Sequence, residues 1–217
     1  MKNGEVRYER DSITYDTIQY SWPVLSFLLY IINNENRLNV IDYGGSLGTS
    51  YFQNLKFLNQ VDNFRWNIIE QEAFVKIGKE YFSNENLFFY PSIDECLQST
   101  TPSILLFSSS LQYLERPFHI LDKIIEKSKV RYMIFDLIGI LNNGYQDRLT
   151  VQKVSPKIYD ASYPCWFFNE QKFIQFLLNY GYEVEESFHC GMKKTIQIDY
   201  EDQAGYKGYF FKKNHKQ

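Results

Sequence analysis

The sequence predicts an α/β fold with a mostly parallel sheet, helices on both faces and an antiparallel pair of strands at the C-terminal end. Three observations predict it. Short apolar runs alternate with amphipathic stretches from about residue 23 to residue 137, the spacing that βαβ crossovers require. The run Ile104–Ser108 is apolar without interruption, as a strand covered on both faces should be. Beyond Gly181 two strand-like runs follow each other with no helix between them, so they should pair antiparallel through a long hairpin.

Taken in order, a helix is expected over Pro23–Ile32, with Ser21 as its cap and Val24, Phe27, Leu28 and Ile31 on one face. Leu38–Asp42 reads as a strand ending in a glycine-rich turn that opens a helix over Thr49–Asn59. Phe64–Glu70 is the second strand, followed by a helical stretch to Tyr81, and Asn86–Tyr90 is the third, stopped by Pro91. After Ile104–Ser108, a helix over Pro117–Lys127 leads to a fifth strand, Arg131–Leu137. Residues 138–168 carry little periodicity but many turn formers and rings, and are expected to be a long irregular connection. A helix over Glu170–Tyr180 stops at Gly181, and Tyr182–Phe188 and Tyr206–Phe211 complete seven strands. We read 1–217 as one domain, made of an N-terminal helical segment (1–37), a core (38–137), the connection (138–168) and a C-terminal helix and hairpin (169–217).

Composition excludes several functions. A net charge of −3 and a pI near 5.7 argue against nucleic acid as a partner, which calls for a basic face. Lys212, Lys213, His215 and Lys216 form a basic tail that reads as a solvated, disordered stub. The apolar stretch Trp22–Ile32 falls far short of the ~20 residues a membrane span needs. The first dozen residues carry charges of both signs and no apolar core of a secretory signal, so a cytoplasmic location is expected. Cys96, Cys165 and Cys190 form no C-x-x-C pair and read as reduced, mostly buried thiols. No metal is expected, since neither H-E-x-x-H nor a close carboxylate cluster occurs. Tyrosine, phenylalanine and tryptophan make up 18% of the chain, so rings should dominate the core.

The chemistry concentrates at Asp42-Tyr-Gly44-Gly45-Ser46-Leu-Gly48. Glycines between a strand and a helix let the backbone turn tightly and approach a ligand with no Cβ in the way, and the helix N-terminus beyond offers unpaired N–H groups. Glu70 ends the next strand, 22 residues past Gly48. In nucleotide-binding α/β folds an acid ~20 residues on accepts hydrogen bonds from ribose hydroxyls. The dinucleotide fingerprint G-x-G-x-x-G does not fit, and G-x-x-x-x-G-K-[ST] is absent.

Asp42–Gly48 resembles the first motif of class I S-adenosylmethionine-dependent methyltransferases, D/E-x-G-x-G-x-G. Gly44 and Gly48 match, Ser46 stands at the middle glycine and Gly45 is an added one. Ser108-Ser-Ser-Leu-Gln112-Tyr113-Leu-Glu-Arg-Pro117 resembles that superfamily's segment after the fourth strand, which flanks the cofactor's sulfonium. The resemblance implies a Rossmann-like seven-stranded sheet with an antiparallel last strand, and S-adenosyl-L-methionine as cofactor. Asp42–Phe52, Ser109–Leu114 and Tyr159–Trp166 are similar to one bacterial subfamily classed as methyltransferases and often encoded among surface-polysaccharide genes. By position, the resemblance assigns Asp42, Gly44, Gly45, Ser46 and Gly48 to the methionine end, and Glu70 with Gln71 to the ribose. Ser92 and Ile93 would border the adenine, and Ser108 and Ser109 would lie beside the sulfonium.

Methyl transfer to oxygen or nitrogen depends on positioning, and a base can take the acceptor's proton. His189, at the end of the sixth strand, is the best histidine for that role, with His119 expected on an exposed helix face; Asp136 and Asp147 are comparable candidates. The acceptor, a small molecule or glycan, is expected against the connection beginning at Gly144. There Tyr145, Arg148, Gln152, Tyr159, Tyr163 and Trp166 supply flat faces and hydrogen-bonding tips. An aromatic mini-core closing the sheet accounts for the same rings. Two rival functions stand beside the methyltransferase. One is a methyltransferase-like binding module without turnover. The other is a nicotinamide-dependent sugar-modifying enzyme, whose Tyr-x-x-x-Lys pair is matched only by Tyr209 and Lys213, in the terminal strand.

Overall fold

The computed structural model describes residues 8–10, 13–15, 17–142, 146–154, 156, 160–190, 195–198 and 203–214. The chain divides into two compact units with the boundary between Leu106 and Phe107.

The first unit opens with a small hairpin of β1 (Tyr8–Arg10) and β2 (Ile13–Tyr15). Then come α1 (Trp22–Glu35), β3 (Leu38–Tyr43), α2 (Thr49–Leu58), β4 (Phe64–Ile69), α3 (Glu72–Tyr81), β5 (Leu87–Tyr90), α4 (Ile93–Ser99) and β6 (Ile104–Ser108). Strands β5, β4, β3 and β6 lie side by side in that order, all parallel. Pro23 starts α1, where its missing N–H costs nothing, and Asn36 ends it in a left-handed conformation. Ser21 occupies the cap position but caps through its backbone: its carbonyl accepts from Leu25 N–H, and its side chain makes no capping bond. Helix α4 is an element that the sequence reading left out. The core is built on Trp66, Tyr51 and Phe64, with Tyr51 stacked on Phe64 at 5.7 Å.

In the second unit a single 3-10 turn, Leu111–Tyr113, precedes α5 (Pro117–Ser128) and β7 (Tyr132–Leu141). There follow β8 (Arg148–Lys153), β9 (Ser162–Asn169), α6 (Glu170–Leu178), β10 (Tyr182–His189), β11 (Ile196–Gln197) and β12 (Gln203–Lys213). Strand β12 is antiparallel to both β7 and β10, so the terminal pair runs as expected. Rings of Phe135, Phe173, Tyr209 and Phe211 pack together beneath β7, all of whose residues are buried. The fold is thus mixed α/β: β3 to β7 with β10 and β12 supply the expected seven strands, parallel ones first and antiparallel ones at the C-terminal end.

Two expectations are corrected. Residues 138–168 are not an irregular connection: β7 continues to Leu141, and β8 and β9 form an antiparallel hairpin. Its alternation went unread because Leu149 and Val151 point to solvent, 56% and 68% exposed, whereas alternation is recognised by a buried face. Lys212 and Lys213 are not a loose tail either; they extend β12, opposite Glu183 and Tyr182 of β10. Backbone pairing with β10 and the Tyr182 ring under Lys213 keep these residues in the strand. His215 and Lys216 lie outside the described residues. Cys96 and Cys165 are buried, Cys190 is half-buried, and all three are free thiols. Among the described residues no helix is long and apolar enough to cross a membrane.

Gly78 in α3 gives a direct test of the packing. A Cβ there would lie 2.4 Å from the buried Phe89 ring of β5. Alanine gains about 1 kcal/mol of helix propensity, but overpacking a core costs about 1–3 kcal/mol. Because Phe89 has nowhere to go, Gly78→Ala should lower stability on balance, read as a lower urea midpoint with unchanged slope.

Candidate functional site

Strand β3 delivers the chain into the glycine turn. Gly44, at φ 75°, still belongs to the ladder, since its N–H donates to the Ile69 carbonyl at 2.9 Å. Ser46 holds φ 52° and Gly48 φ 103°, so three residues of the turn lie in the left-handed region. Glycine reaches that region freely, whereas serine does so at some cost. Gly48 is the cap residue of α2 and offers no side chain, so the helix begins with its first N–H groups free of a side-chain cap.

Beneath the turn sits Asp42, only 1% exposed. Its Oδ2 accepts from Trp66 Nε1 at 3.0 Å, and among the described residues Oδ1 has no partner. A Cβ on Gly45 would fall 2.6 Å from the Asp42 carboxyl carbon, so only glycine lets the turn close over this group. Burial pushes the Asp42 carboxyl up to about 7; the Trp66 bond opposes the rise and the neighbouring charge of Glu70 adds to it.

Glu70 follows β4 and reaches back to the turn. Its Oε1 accepts from Ser46 N–H at 3.2 Å and its Oε2 from Gln71 N–H at 2.9 Å. Each oxygen keeps a lone pair for a further donor. Gln71 is the exposed cap residue of α3. Ser92 caps α4, its Oγ accepting from Glu95 N–H at 3.2 Å, and Ile93 is buried at the helix start. Asp42, Gly44, Gly45, Ser46, Gly48 and Glu70 are therefore brought into one cluster by direct contacts, with Gln71 bonded to its edge.

A second cluster belongs to the second unit. Ser108 Oγ donates to Asp136 Oδ2 at 3.1 Å, and Ser109 N–H donates to the Asp136 carbonyl at 2.8 Å. Asp136 is 2% exposed. Strand β7 bulges here: Lys207 faces Ile138 and Tyr209 faces Phe135, so Gly208 alone opposes Asp136 and Leu137. Leu137 takes φ 55° and Ser109 φ 57°, a conformation costing about 1–3 kcal/mol that persists only when the surroundings enforce it. Gln112 is one enforcer, donating from Nε2 to the Leu137 carbonyl at 3.0 Å while its buried Oε1 has no partner among the described residues. Cys190 Sγ accepts from Leu137 N–H at 3.2 Å. Gln112 and Leu137 were missed as site residues. Gln112 stood inside the segment after the fourth strand, whereas nothing local marks a leucine for positive φ.

The remaining candidates are scattered. His189 is exposed at the end of β10, opposite Lys207. Both Asp147 oxygens are engaged, Oδ1 by Asn169 N–H at 2.9 Å and Oδ2 by Lys172 Nζ at 2.6 Å, so this carboxylate pins the start of α6. Tyr163 meets Tyr113 edge to face at 5.2 Å, Trp166 Nε1 donates to the Leu114 carbonyl, and Arg148 is exposed. Tyr113 also donates to Gln152 Oε1 at 3.2 Å. Gly144, Tyr145 and Tyr159 lie outside the described residues.

No family model and no curated protein matches the chain. Solved structures do. The N-terminal domain of EvdMO1 with SAH bound has a TM-score of 0.58 at 12% identity, covering 98% of this chain and 94% of that one. Mitomycin 7-O-methyltransferase MmcR gives 0.51 at 14% identity, over 88% of this chain and 54% of its own. Magnesium protoporphyrin IX methyltransferase (ChlM) from Synechocystis PCC 6803, with bound SAM, gives 0.50 at 10% identity, over 88% and 77%. The likeness is one of fold: the chain shares the architecture of S-adenosylmethionine-dependent methyltransferases.

Asp42 should be visible in the pH dependence of folding. Its folded value of about 7 lies above the unfolded 3.8, so between those pH values only the folded state holds the proton. Stability therefore falls as pH rises through this window and levels off above about 7, a cost on the order of 4 kcal/mol. Asp42→Asn, which can keep the Trp66 bond, should remove that part of the slope. Urea midpoints from pH 4 to 8 check this; parallel slopes in both proteins would refute it.

Proposed function

We propose that the chain transfers a methyl group from S-adenosylmethionine to oxygen or nitrogen of a small polar or glycan-linked acceptor. The observation that carries this reading is the turn after β3: a buried carboxylate with one oxygen unpartnered among the described residues, a left-handed backbone closed over it, a helix start without a side-chain cap, and Glu70 at its side. These groups fit that cofactor by donor and acceptor count. An ammonium needs an acceptor such as Asp42 Oδ1, a carboxylate needs backbone N–H groups such as those opening α2, and ribose hydroxyls need Glu70. Gln71 would border the ribose, Ser92 and Ile93 the adenine, and Ser108 and Ser109 the sulfonium.

When bound, S-adenosylmethionine supplies a methyl carbon already activated by its sulfonium, so the protein's share is positioning and proton removal. Asp136, bonded to Ser108 beside the expected sulfonium, is the carboxylate we assign to hold that proton. His189 remains as an exposed alternative base. The segment 138–168 would meet the acceptor. A glycan is favoured by the similarity to proteins encoded among surface-polysaccharide genes, and by the EvdMO1 domain, which was also crystallised in the presence of SAH and D-fucose. These associations support an enzyme of surface-polysaccharide biosynthesis.

Calorimetry tests the cofactor. S-adenosylmethionine and S-adenosylhomocysteine should bind at micromolar levels while NAD and ATP do not; binding of NAD with none of S-adenosylhomocysteine sinks the proposal. Glu70→Ala removes charge-assisted bonds worth roughly 1.5–3 kcal/mol each. Affinity for S-adenosylhomocysteine should drop at least ~10-fold, at ~1.4 kcal/mol per decade. Unchanged affinity in the folded variant would take Glu70 out of the site.

A further inference from the structure

The β8–β9 hairpin, β11 and β12 line an open cavity of about 300 Å3 within the second unit, with the exposed Val151 among its lining residues. Its walls divide by chemistry: Phe167, Ile196 and Ile198 are apolar, whereas Thr150, Gln152 and Tyr206 carry hydrogen-bonding tips. Gly139 helps to shape it, since a Cβ there would lie 2.8 Å from the Phe167 ring and 2.9 Å from the Trp166 carbonyl. Among the described residues no charged side chain lines the cavity. The described walls pair hydrogen-bonding tips with apolar faces, a lining that suits a neutral polar ligand. The volume sits at the small end of the ~300–1,000 Å3 typical of ligand sites, which suits a single ring rather than a nucleotide or peptide.

The polar tips narrow the class further. Tyr113 donates to Gln152 Oε1, which fixes the amide and leaves its NH2 as a donor. Thr150 Oγ1 donates to the Cys165 carbonyl at 2.8 Å, which leaves the oxygen as an acceptor. A hydroxyl can answer both, being donor and acceptor at once. Phe167 and Tyr206, with centroids 6.1 Å apart and planes tilted by 49°, form a corner against which the C–H face of a sugar ring packs.

We propose that this cavity binds a neutral monosaccharide unit, free or at the end of a glycan, and that this unit is the methyl acceptor. The acceptor role rests on the methyltransferase reading; the binding does not. The site takes in Gln152 but neither Tyr163 nor Trp166.

Saturation-transfer NMR on the full chain, with methyl glycosides of neutral hexoses as probes, tests it. At least one glycoside should give a saturable signal below about 10 mM, and the methyl glycoside of the matching hexuronic acid should bind at least ~10-fold more weakly. Ile196→Trp should fill the cavity and abolish the signal. Gln152→Leu, which keeps the volume and drops the amide, should weaken binding ~10-fold, both variants retaining the wild-type melting temperature. Undiminished binding in either folded variant overturns the location. Saturable binding of a planar phenol such as naphthol, with no glycoside bound, overturns the ligand class. Calorimetry with S-adenosylhomocysteine separates the two levels. Cofactor binding without any glycoside binding defeats this inference alone, whereas glycoside binding without cofactor binding defeats the acceptor role and the methyltransferase reading with it.

Discussion

A carboxyl group removed from water beside an indole N–H is the contact around which the β3 turn is organised. Asp42 accepts from Trp66 of the adjacent strand, and the Trp66 side chain is itself a centre of the core, so the position of the carboxyl is set by β3–β4 packing rather than by the turn. Once the carboxyl is there, the residue above it can carry no side chain, which makes Gly45 obligatory. Gly44 remains tied to Ile69, and Ser46 is tied to Glu70 at the end of the same neighbouring strand. Two adjacent strands thereby hold Asp42, Gly44 and Ser46 in place before any ligand arrives, which is what a binding site needs if affinity is not to be spent on ordering it.

Ser46 shows how a departure from a glycine pattern is accommodated. A serine at φ 52° is disfavoured by about 1–2 kcal/mol, and its N–H bond to a carboxylate is worth a comparable amount.

The second cluster relies on burial in a different way. Leu137 and Ser109 hold strained backbone against the Gln112 amide, the Cys190 thiol and the Ser108–Asp136 bond, with the ring cluster of Phe135, Phe173 and Phe211 packed behind the bulge. Much of the high aromatic content therefore serves to hold a few residues in a conformation they would not choose. The rings near the cavity do likewise: Tyr113 orients Gln152, and Trp166 anchors β9 to the turn after Ser110.

What the sequence by itself determined are the features whose physics is local. Short apolar runs marked β3, β4 and β6, Pro23 and Pro117 marked helix starts, and a cluster of glycines between strand and helix marked the turn, because each depends only on residues a few positions apart. The antiparallel terminal strands were legible for the same reason, since nothing between them could form a crossover. Tertiary structure alone decided the rest. Arg148–Lys153 is a strand because Ser162–Asn169 pairs with it, although its apolar residues face solvent; Lys212 and Lys213 are strand residues because β10 and β7 flank them. Asp147 is an anchor because Lys172 and Asn169 claim it, Leu137 turns left-handed in a bulge where Gly208 alone opposes two residues of β7, and Gln152 reaches a cavity whose other wall comes from residues 196–198 and Tyr206. Each of these outcomes is settled by partners about 10 to 80 residues away, and the energy of such contacts is not written in the local pattern of either partner.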